Sequence, residues 1–309
     1  MVQEIRRVAV IGAGLMGHGI AQEMATAGLK VALHDVSQER LDAARANIGR
    51  NLGTLGVRDA AAVLARTRTG TMLREVAEDA DLVIEAISED LEAKRKLFAE
   101  LDGICPPRTI FASNSSSLMP SRMAAAVKRP DRLLVAHYFN PPYLVPLVEI
   151  VRGPETSDET VATVHALMLR IGKTPVVLRK EVPGFIANRI QAALSRECLS
   201  LVERGIATPE EVDAVVRGSI GRRLAAAGPF EIFDAAGADV WQSIGKQVLP
   251  DIDASREVSP LVNGLVERGE LGIKSGKGFY EWTPQRAQEL RERMARALRE
   301  IRGWEEGKL

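Results

Sequence analysis

Short apolar runs alternate with longer stretches of helical periodicity through the first half of the chain. Runs at 7–11, 30–34, 82–86, 109–112 and 133–138 read as buried strands, and 15–27 and 91–101 as amphipathic helices. A further apolar run at 147–151, a helix near 159–171 and a last run at 175–178 continue the pattern. Strand–helix alternation of this kind predicts an α/β domain: a mostly parallel, doubly wound sheet with helices on both faces. After Lys180 the pattern changes. Glu181-Val182-Pro183-Gly184 reads as a linker, and 185–204 as a long helix with Ile186, Ile190, Leu194, Cys198 and Leu201 on one stripe. Gly205 fits its C-terminal end, and Thr208-Pro209-Glu210-Glu211 fits the start of another helix. The expected organisation is two domains, 1–182 and 183–309, the second all-helical and closed by a charged helix at 284–302.

Composition narrows the function classes. The 309 residues are 46% apolar and 27% charged, which suits a folded globular chain. Lys plus Arg equals Asp plus Glu at 41 each, so no net field points to nucleic acid or to an anionic membrane. No apolar run has the length of a bilayer span, and nothing near Met1 resembles a secretory leader. Cys105 and Cys198 lack metal-site spacing and suit reduced thiols in a cytoplasm. Cys198, on the helical stripe, reads as a small core residue, and no metal is expected.

The first strand leads into Gly12-Ala13-Gly14-Leu15-Met16-Gly17. A GxGxxG pattern alone is weak. Here it follows a strand and opens a helix, the context that dinucleotide binding requires. Gly12 permits the tight turn, Gly14 lets a pyrophosphate approach the backbone, and Gly17 lets the helix pack on the strand. This makes the first domain Rossmann-type. Asp35 ends the second run, where a carboxylate accepts hydrogen bonds from the adenosine ribose and repels a 2′-phosphate; the expected cofactor is NAD.

Of four histidines, His18 lies in the phosphate-loop helix, His34 in a strand, and His165 on a helix among apolar residues, where a structural role fits. His137 ends an apolar strand and enters Asn140-Pro141-Pro142, at the sheet edge where ligands bind. Glu149 sits inside the apolar run 147–151 and needs a partner. A histidine would satisfy it and make a tuned base. A core histidine and an edge-strand glutamate are the alternative at this point. Ser113-Asn114-Ser115-Ser116-Ser117 either lines a cleft or caps a turn, and Asn188 projects away from the Ile186–Ile190 stripe towards a cleft or solvent.

Together, GAGLMGHG at 12–19, VIEAISEDLEAK at 83–94, ASNSSSL at 112–118, AHYFNP at 136–141, LVEI at 147–150, PGFIANR at 183–189, GPFE at 228–231 and GIKSGKGFY at 272–280 resemble the 3-hydroxyacyl-CoA dehydrogenases along nearly the whole chain. The resemblance implies His137 as general base, Glu149 as its orienting partner, and Ser116 and Asn188 on the substrate oxygen. It places Glu89, Lys94, Asn140 and Lys274 around NAD beside the phosphate loop and Asp35. It also implies a homodimer formed by the helical domain. The implied reaction oxidises the 3-hydroxyl of a short 3-hydroxyacyl-CoA.

Several stretches depart from that pattern. Tyr138-Phe139-Asn140-Pro141-Pro142-Tyr143 looks more like the branch containing lambda-crystallin, a gulonate dehydrogenase. Carnitine dehydrogenases and a pyridine-carboxylate dehydrogenase also look related. Residues 37–70 hold no lysine for a CoA, although Arg50, Arg58, Arg66 and Arg68 remain. A small free hydroxy acid would instead need one cation, which Arg222 or Arg223 is placed to supply. Such a dehydrogenase is the alternative substrate reading; a non-catalytic NAD-binding protein is a remote one.

Overall fold

The computed structural model describes residues 2–305, and its contacts divide into two units, Met1–Arg189 and Ile190–Leu309. In the first unit, β1 (Arg7–Ile11), β2 (Lys30–His34), β3 (Thr67–Gly70), β4 (Leu82–Glu85), β5 (Ile110–Ser113), β6 (Leu133–Tyr138), β7 (Leu147–Arg152) and β8 (Thr174–Leu178) form one sheet. Its order is β3-β2-β1-β4-β5-β6-β7-β8. Only the β6–β7 pairing is antiparallel, and it sets His137 opposite Glu149. The sheet is the mostly parallel, doubly wound one that the alternation of runs predicts. β3, whose sequence is Thr-Arg-Thr-Gly, has no apolar pattern and escapes sequence reading; it forms because its backbone pairs with β2 along the sheet edge.

The helices of this unit are α1 (Gly17–Thr26), α2 (Gln38–Thr54), α3 (Ala60–Ala65), α4 (Leu73–Ala77), α5 (Leu91–Ile104), α6 (Pro120–Ala124) and α7 (Asp158–Arg170). Successive strand residues point to opposite faces, and both faces are covered, so each strand reads as a continuous apolar run. Val8, Val10, Val31 and Leu33 pack with Ile20, Met24, Leu41 and Ile48 of α1 and α2. Ala9, Ile11, Val83 and Phe111 pack on the other face with Phe98 and Leu101 of α5. β1 lies between β2 and β4, so the connections leaving it and its neighbours part company there and open a crevice at the carboxyl edge.

α8 (Ala187–Glu203) runs from the first unit into the second, which continues with α9 (Pro209–Gly218), α10 (Ile220–Leu224), α11 (Pro229–Ala236), α12 (Ala238–Val248), α13 (Pro260–Glu267) and α14 (Pro284–Glu305). Gly205 takes a φ of +66°, and Thr208 with Glu211 forms a capping box at the start of α9. The stripe on α8 is not the core feature that its periodicity suggests. Ile186, Ile190 and Leu194 are exposed, and Cys198 is only half-buried. Amphipathicity marks a face that is covered by something, and among the described residues the first half of this face is left open. Among the described residues no helix is long and apolar enough to cross a membrane.

Candidate active site

The carboxyl ends of β4, β5 and β6, with β7 returning beside them, gather the polar side chains that the sequence singles out. His137 is buried at the end of β6. Its Nδ1 lies 2.9 Å from Glu149 Oε2, and its Nε2 lies 3.1 Å from Ser116 Oγ. A carboxylate only accepts, so Nδ1 carries the proton and Nε2 offers a lone pair to the Ser116 hydroxyl. Phe139 and Phe185 flank the imidazole, with ring centroids 4.5 and 5.4 Å away. Phe185 adopts a φ of +55°, a conformation that costs a bulky residue energy. It ends the turn that delivers the first residues of α8 to Glu149, whose Oε1 accepts from the N–H groups of Ile186 (2.9 Å) and Ala187 (3.0 Å).

Burial opposes ionisation of Glu149. The bonds from His137 and from the Ala187 and Ile186 backbone outweigh it, and the carboxyl is held below the usual glutamate range. The pair is therefore an ionised carboxylate on a histidine whose second nitrogen presents its lone pair to the Ser116 hydroxyl.

A second network lies one strand over. Glu89 Oε1 accepts from the backbone N–H groups of Ser116 and Ser117, both at 3.0 Å, and from the hydroxyls of Ser115 and Ser117. One carboxylate thus shapes the turn that presents Ser116 to His137. Burial works against the charge on Glu89, but the Ser115 bond, the Lys94 ammonium and the Ser117 bonds prevail and lower its pKa. Lys94, fully buried on α5, reaches Glu89 Oε2 at 3.3 Å and Glu85 Oε1 at 2.6 Å. Asn188 Nδ2 donates to the Ser116 carbonyl at 2.9 Å, so the half-buried Asn188 ties the start of α8 to the serine turn. Asn140 is exposed just past β6, and Lys274 is exposed on a loop of the second unit.

The glycine loop fits a dinucleotide on its own geometry. A Cβ on Gly17 would meet Gly12 O at 1.7 Å, and one on Gly12 would meet Ala86 O at 2.5 Å, so both glycines are required by the chain itself. A Cβ on Gly14 would meet nothing within 4 Å; that glycine faces open space, where a pyrophosphate would approach. Asp35 is buried, accepting from Ala13 N (3.0 Å) and Ser37 N (3.1 Å). An ionised carboxylate has about four acceptor sites; the exposed Arg40 guanidinium also stands 4.0 Å from Oδ1, and what is left can accept from ribose hydroxyls. No cluster of three metal-ligating side chains exists among the described residues.

Sequence reasoning missed Glu85. It is fully buried at the end of β4 and accepts from Lys94, from Ile87 N and from the Ser113 hydroxyl. A carboxylate inside an apolar strand is the same signal that picked out Glu149. Asn114, which accepts from the Tyr138 N–H at 2.9 Å, was passed over within the serine cluster.

A Rossmann unit with a phosphate loop, and a histidine–carboxylate pair at the mouth of its crevice, define a nicotinamide-dependent dehydrogenase. Family models described as the 3-hydroxyacyl-CoA dehydrogenase NAD-binding domain and C-terminal domain match residues 7–182 and 184–282. The chain belongs to the 3-hydroxyacyl-CoA dehydrogenase family, NAD-dependent oxidoreductases that act on a CH–OH group. It is 35% identical over 307 residues to the 5-formyl-3-hydroxy-2-methylpyridine 4-carboxylate 5-dehydrogenase of Mesorhizobium japonicum, covering 98% of this chain and 99% of that one. It is 38% identical over 286 residues to a probable 3-hydroxybutyryl-CoA dehydrogenase of Bacillus subtilis, covering 90% and 98%. A crystal structure of the pyridine-carboxylate dehydrogenase, described as an NAD+-dependent dismutase, superposes with a TM-score of 0.93 at 35% identity over 98% of this chain and 99% of that one. The structure of (S)-3-hydroxybutyryl-CoA dehydrogenase from Ralstonia eutropha gives 0.75 at 35% identity over 91% and 100%.

Proposed function

We propose that this chain oxidises a small carboxylate-bearing alcohol, or the hydrate of an aldehyde, as a free acid and not as a CoA thioester. The observation that carries this reading is the full-length likeness to the pyridine-carboxylate dehydrogenase, with a TM-score of 0.93. That likeness extends over 98% of the chain, whereas α14 lies beyond residue 282, where the family model ends. Two further features support it. Among the arginines in the stretch where a CoA would need cations, Arg66 and Arg68 open onto a cleft at the amino edge of the sheet, with Arg7 and Lys30. There Arg68 pairs with Asp79 at 3.6 Å, and Arg66 reaches the Ala25 carbonyl at 3.5 Å. In the second unit, Arg222 lines a cavity of about 500 Å³ with Arg217 and Trp304, and neither Arg222 nor Arg223 has an ion-pair partner among the described residues.

The first unit's residues have defined parts in this reading. The Gly12–Gly17 loop and Asp35 hold the pyrophosphate and ribose of NAD, and Glu89 and Asn140 border the nicotinamide end, with the buried Lys94 acting on Glu89 from behind and not on the cofactor itself. When bound, NAD supplies the hydride acceptor. Ser116 and Asn188 hold the substrate oxygen. His137 Nε2 removes the hydroxyl proton, and Glu149 stabilises the imidazolium that forms. In the reverse direction the imidazolium returns the proton. Two copies associate through the helical unit, covering side chains such as Phe230 (83% exposed), Val215 and Leu249. Light scattering should therefore give twice the chain mass.

A short 3-hydroxyacyl-CoA is the second reading. It is favoured by the names of several relatives and by Arg50 and Arg58, which remain exposed. A panel of 3-hydroxybutyryl-CoA, 3-hydroxybutyrate, gulonate, carnitine and a hydroxymethylpyridine carboxylate separates the two. The proposal expects the highest kcat/KM for a free acid, with a severe loss in Arg222→Ala or Arg223→Ala. A clear preference for the thioester, weakened by neutralising Arg50 and Arg58, overturns it.

A further inference from the structure

We propose that His18 is a positioning residue of the phosphate loop, its imidazole fixing the Gly14–Leu15 peptide so that the Leu15 N–H faces the cofactor's pyrophosphate. The inference rests on the reading that the Gly12–Gly17 loop seats the dinucleotide.

His18 is the second residue of α1 and is 8% exposed. Its Nδ1 lies 2.8 Å from the Gly14 carbonyl oxygen, one helical turn back, and its own backbone N–H reaches the same oxygen at 3.3 Å. A carbonyl oxygen only accepts, so Nδ1 is the protonated nitrogen. Two donors from the same residue draw this carbonyl inward along α1. The peptide is planar and trans, so its N–H, which belongs to Leu15, points the opposite way, out of the helix start. Among the described residues the N–H groups of Gly14, Leu15 and Met16 donate to nothing, and Leu15 is 67% exposed. These groups are the donors a phosphate needs.

The imidazole matters because little else holds this peptide. The backbone bond at 3.3 Å is at the long end of the range. Gly14 has no side chain and nothing within 4 Å of where a Cβ would stand. A glycine peptide with one weak bond rotates readily. Rotation would turn the carbonyl oxygen, a partial negative charge, towards the pyrophosphate. The short Nδ1–H bond opposes that rotation.

The test titrates NADH into the full chain and measures the KM for NAD. His18→Leu keeps the buried volume and removes the donor. His18→Asn places an amide nitrogen where Nδ1 stands. One net hydrogen bond corresponds to roughly a 2- to 12-fold change in affinity. His18→Leu should weaken NADH binding and raise the KM for NAD by that factor, with a smaller change in kcat, and His18→Asn should restore both to within about twofold. Unchanged affinity in His18→Leu overturns the proposal. So does an equal loss in both variants, since the lost donor would then not be the cause. Gly14→Ala separates this from the reading beneath it. If Gly14→Ala leaves NADH binding intact, the loop is not the seat of the dinucleotide; if it abolishes binding while His18→Leu does nothing, only the role of His18 fails.

Discussion

Glu149→Gln is the sharpest probe of the chemistry, because one substitution changes the proton on His137 without removing the histidine. Glu149 has two jobs in the structure: Oε1 caps the start of α8 through Ile186 and Ala187, and Oε2 accepts from His137 Nδ1. The glutamine oxygen can keep only one of them. The two backbone N–H groups cannot change into acceptors, so they retain the oxygen. The amide NH2 then faces Nδ1 and can only donate, which forces the proton from Nδ1 to Nε2. In that tautomer Nε2 accepts neither the Ser116 hydroxyl nor a substrate proton. The imidazolium also loses its counter-charge. General-base catalysis contributes on the order of 100- to 10,000-fold, so kcat should fall by about that factor, or roughly 3–5 kcal/mol in barrier. The assay follows NADH absorbance at saturating NAD and substrate, with NADH binding titrated separately by fluorescence. The affinity should hold to within about twofold, since the glycine loop and Asp35 are untouched. A Glu149→Gln enzyme with kcat within about threefold of the parent would refute the tautomer argument, whatever its NADH affinity.

Other outcomes follow from individual contacts. Gly17→Ala drives a methyl to 1.7 Å from Gly12 O and should fold poorly, whereas Gly14→Ala should melt like the parent yet lose NADH binding, as thermal melts and titrations will report. Asp35→Asn should lower the preference for NAD over NADP, because the repulsion of a 2′-phosphate goes while the loop's acceptor oxygen stays; a parent enzyme that prefers NADP contradicts this role. Phe98 is fully buried and 5.9 Å from Phe111 in the α5 face of the core, so Phe98→Ala should cost about 3–5 kcal/mol in denaturant unfolding. Glu149 is depressed in the fold, so its contribution to stability is complete above the ordinary glutamate value near about 4.3 and is lost as pH falls through the lower folded value. Stability measured by denaturant at descending pH should therefore drop less steeply below about pH 4.3 in Glu149→Gln than in the parent.

Much of the first unit was legible because its strands are buried on both faces and its helices on one. Apolar runs located seven of the eight strands to within a residue or two. β3 was not among them, since an edge strand held by backbone bonds needs no apolar side chains. The histidine–glutamate pair was legible in part: a carboxylate inside an apolar strand announces a hidden partner. The same rule, applied to the run at 82–86, would have found Glu85, whose partner Lys94 sits nine residues on in a helix that looks like a solvated one. The α8 stripe misled for the opposite reason. Periodicity records that a face meets something apolar, not that the something belongs to the same chain. The function of Glu89 was beyond pattern reading, because it depends on four donors in a turn some 26–28 residues away.

The role of His137 as general base is tested most directly by His137→Ala, with turnover and NADH affinity measured side by side on the same preparation. Turnover should fall by about 100- to 10,000-fold while NADH affinity stays within about twofold of the parent. Near-normal turnover in a well-folded His137→Ala enzyme would contradict that role.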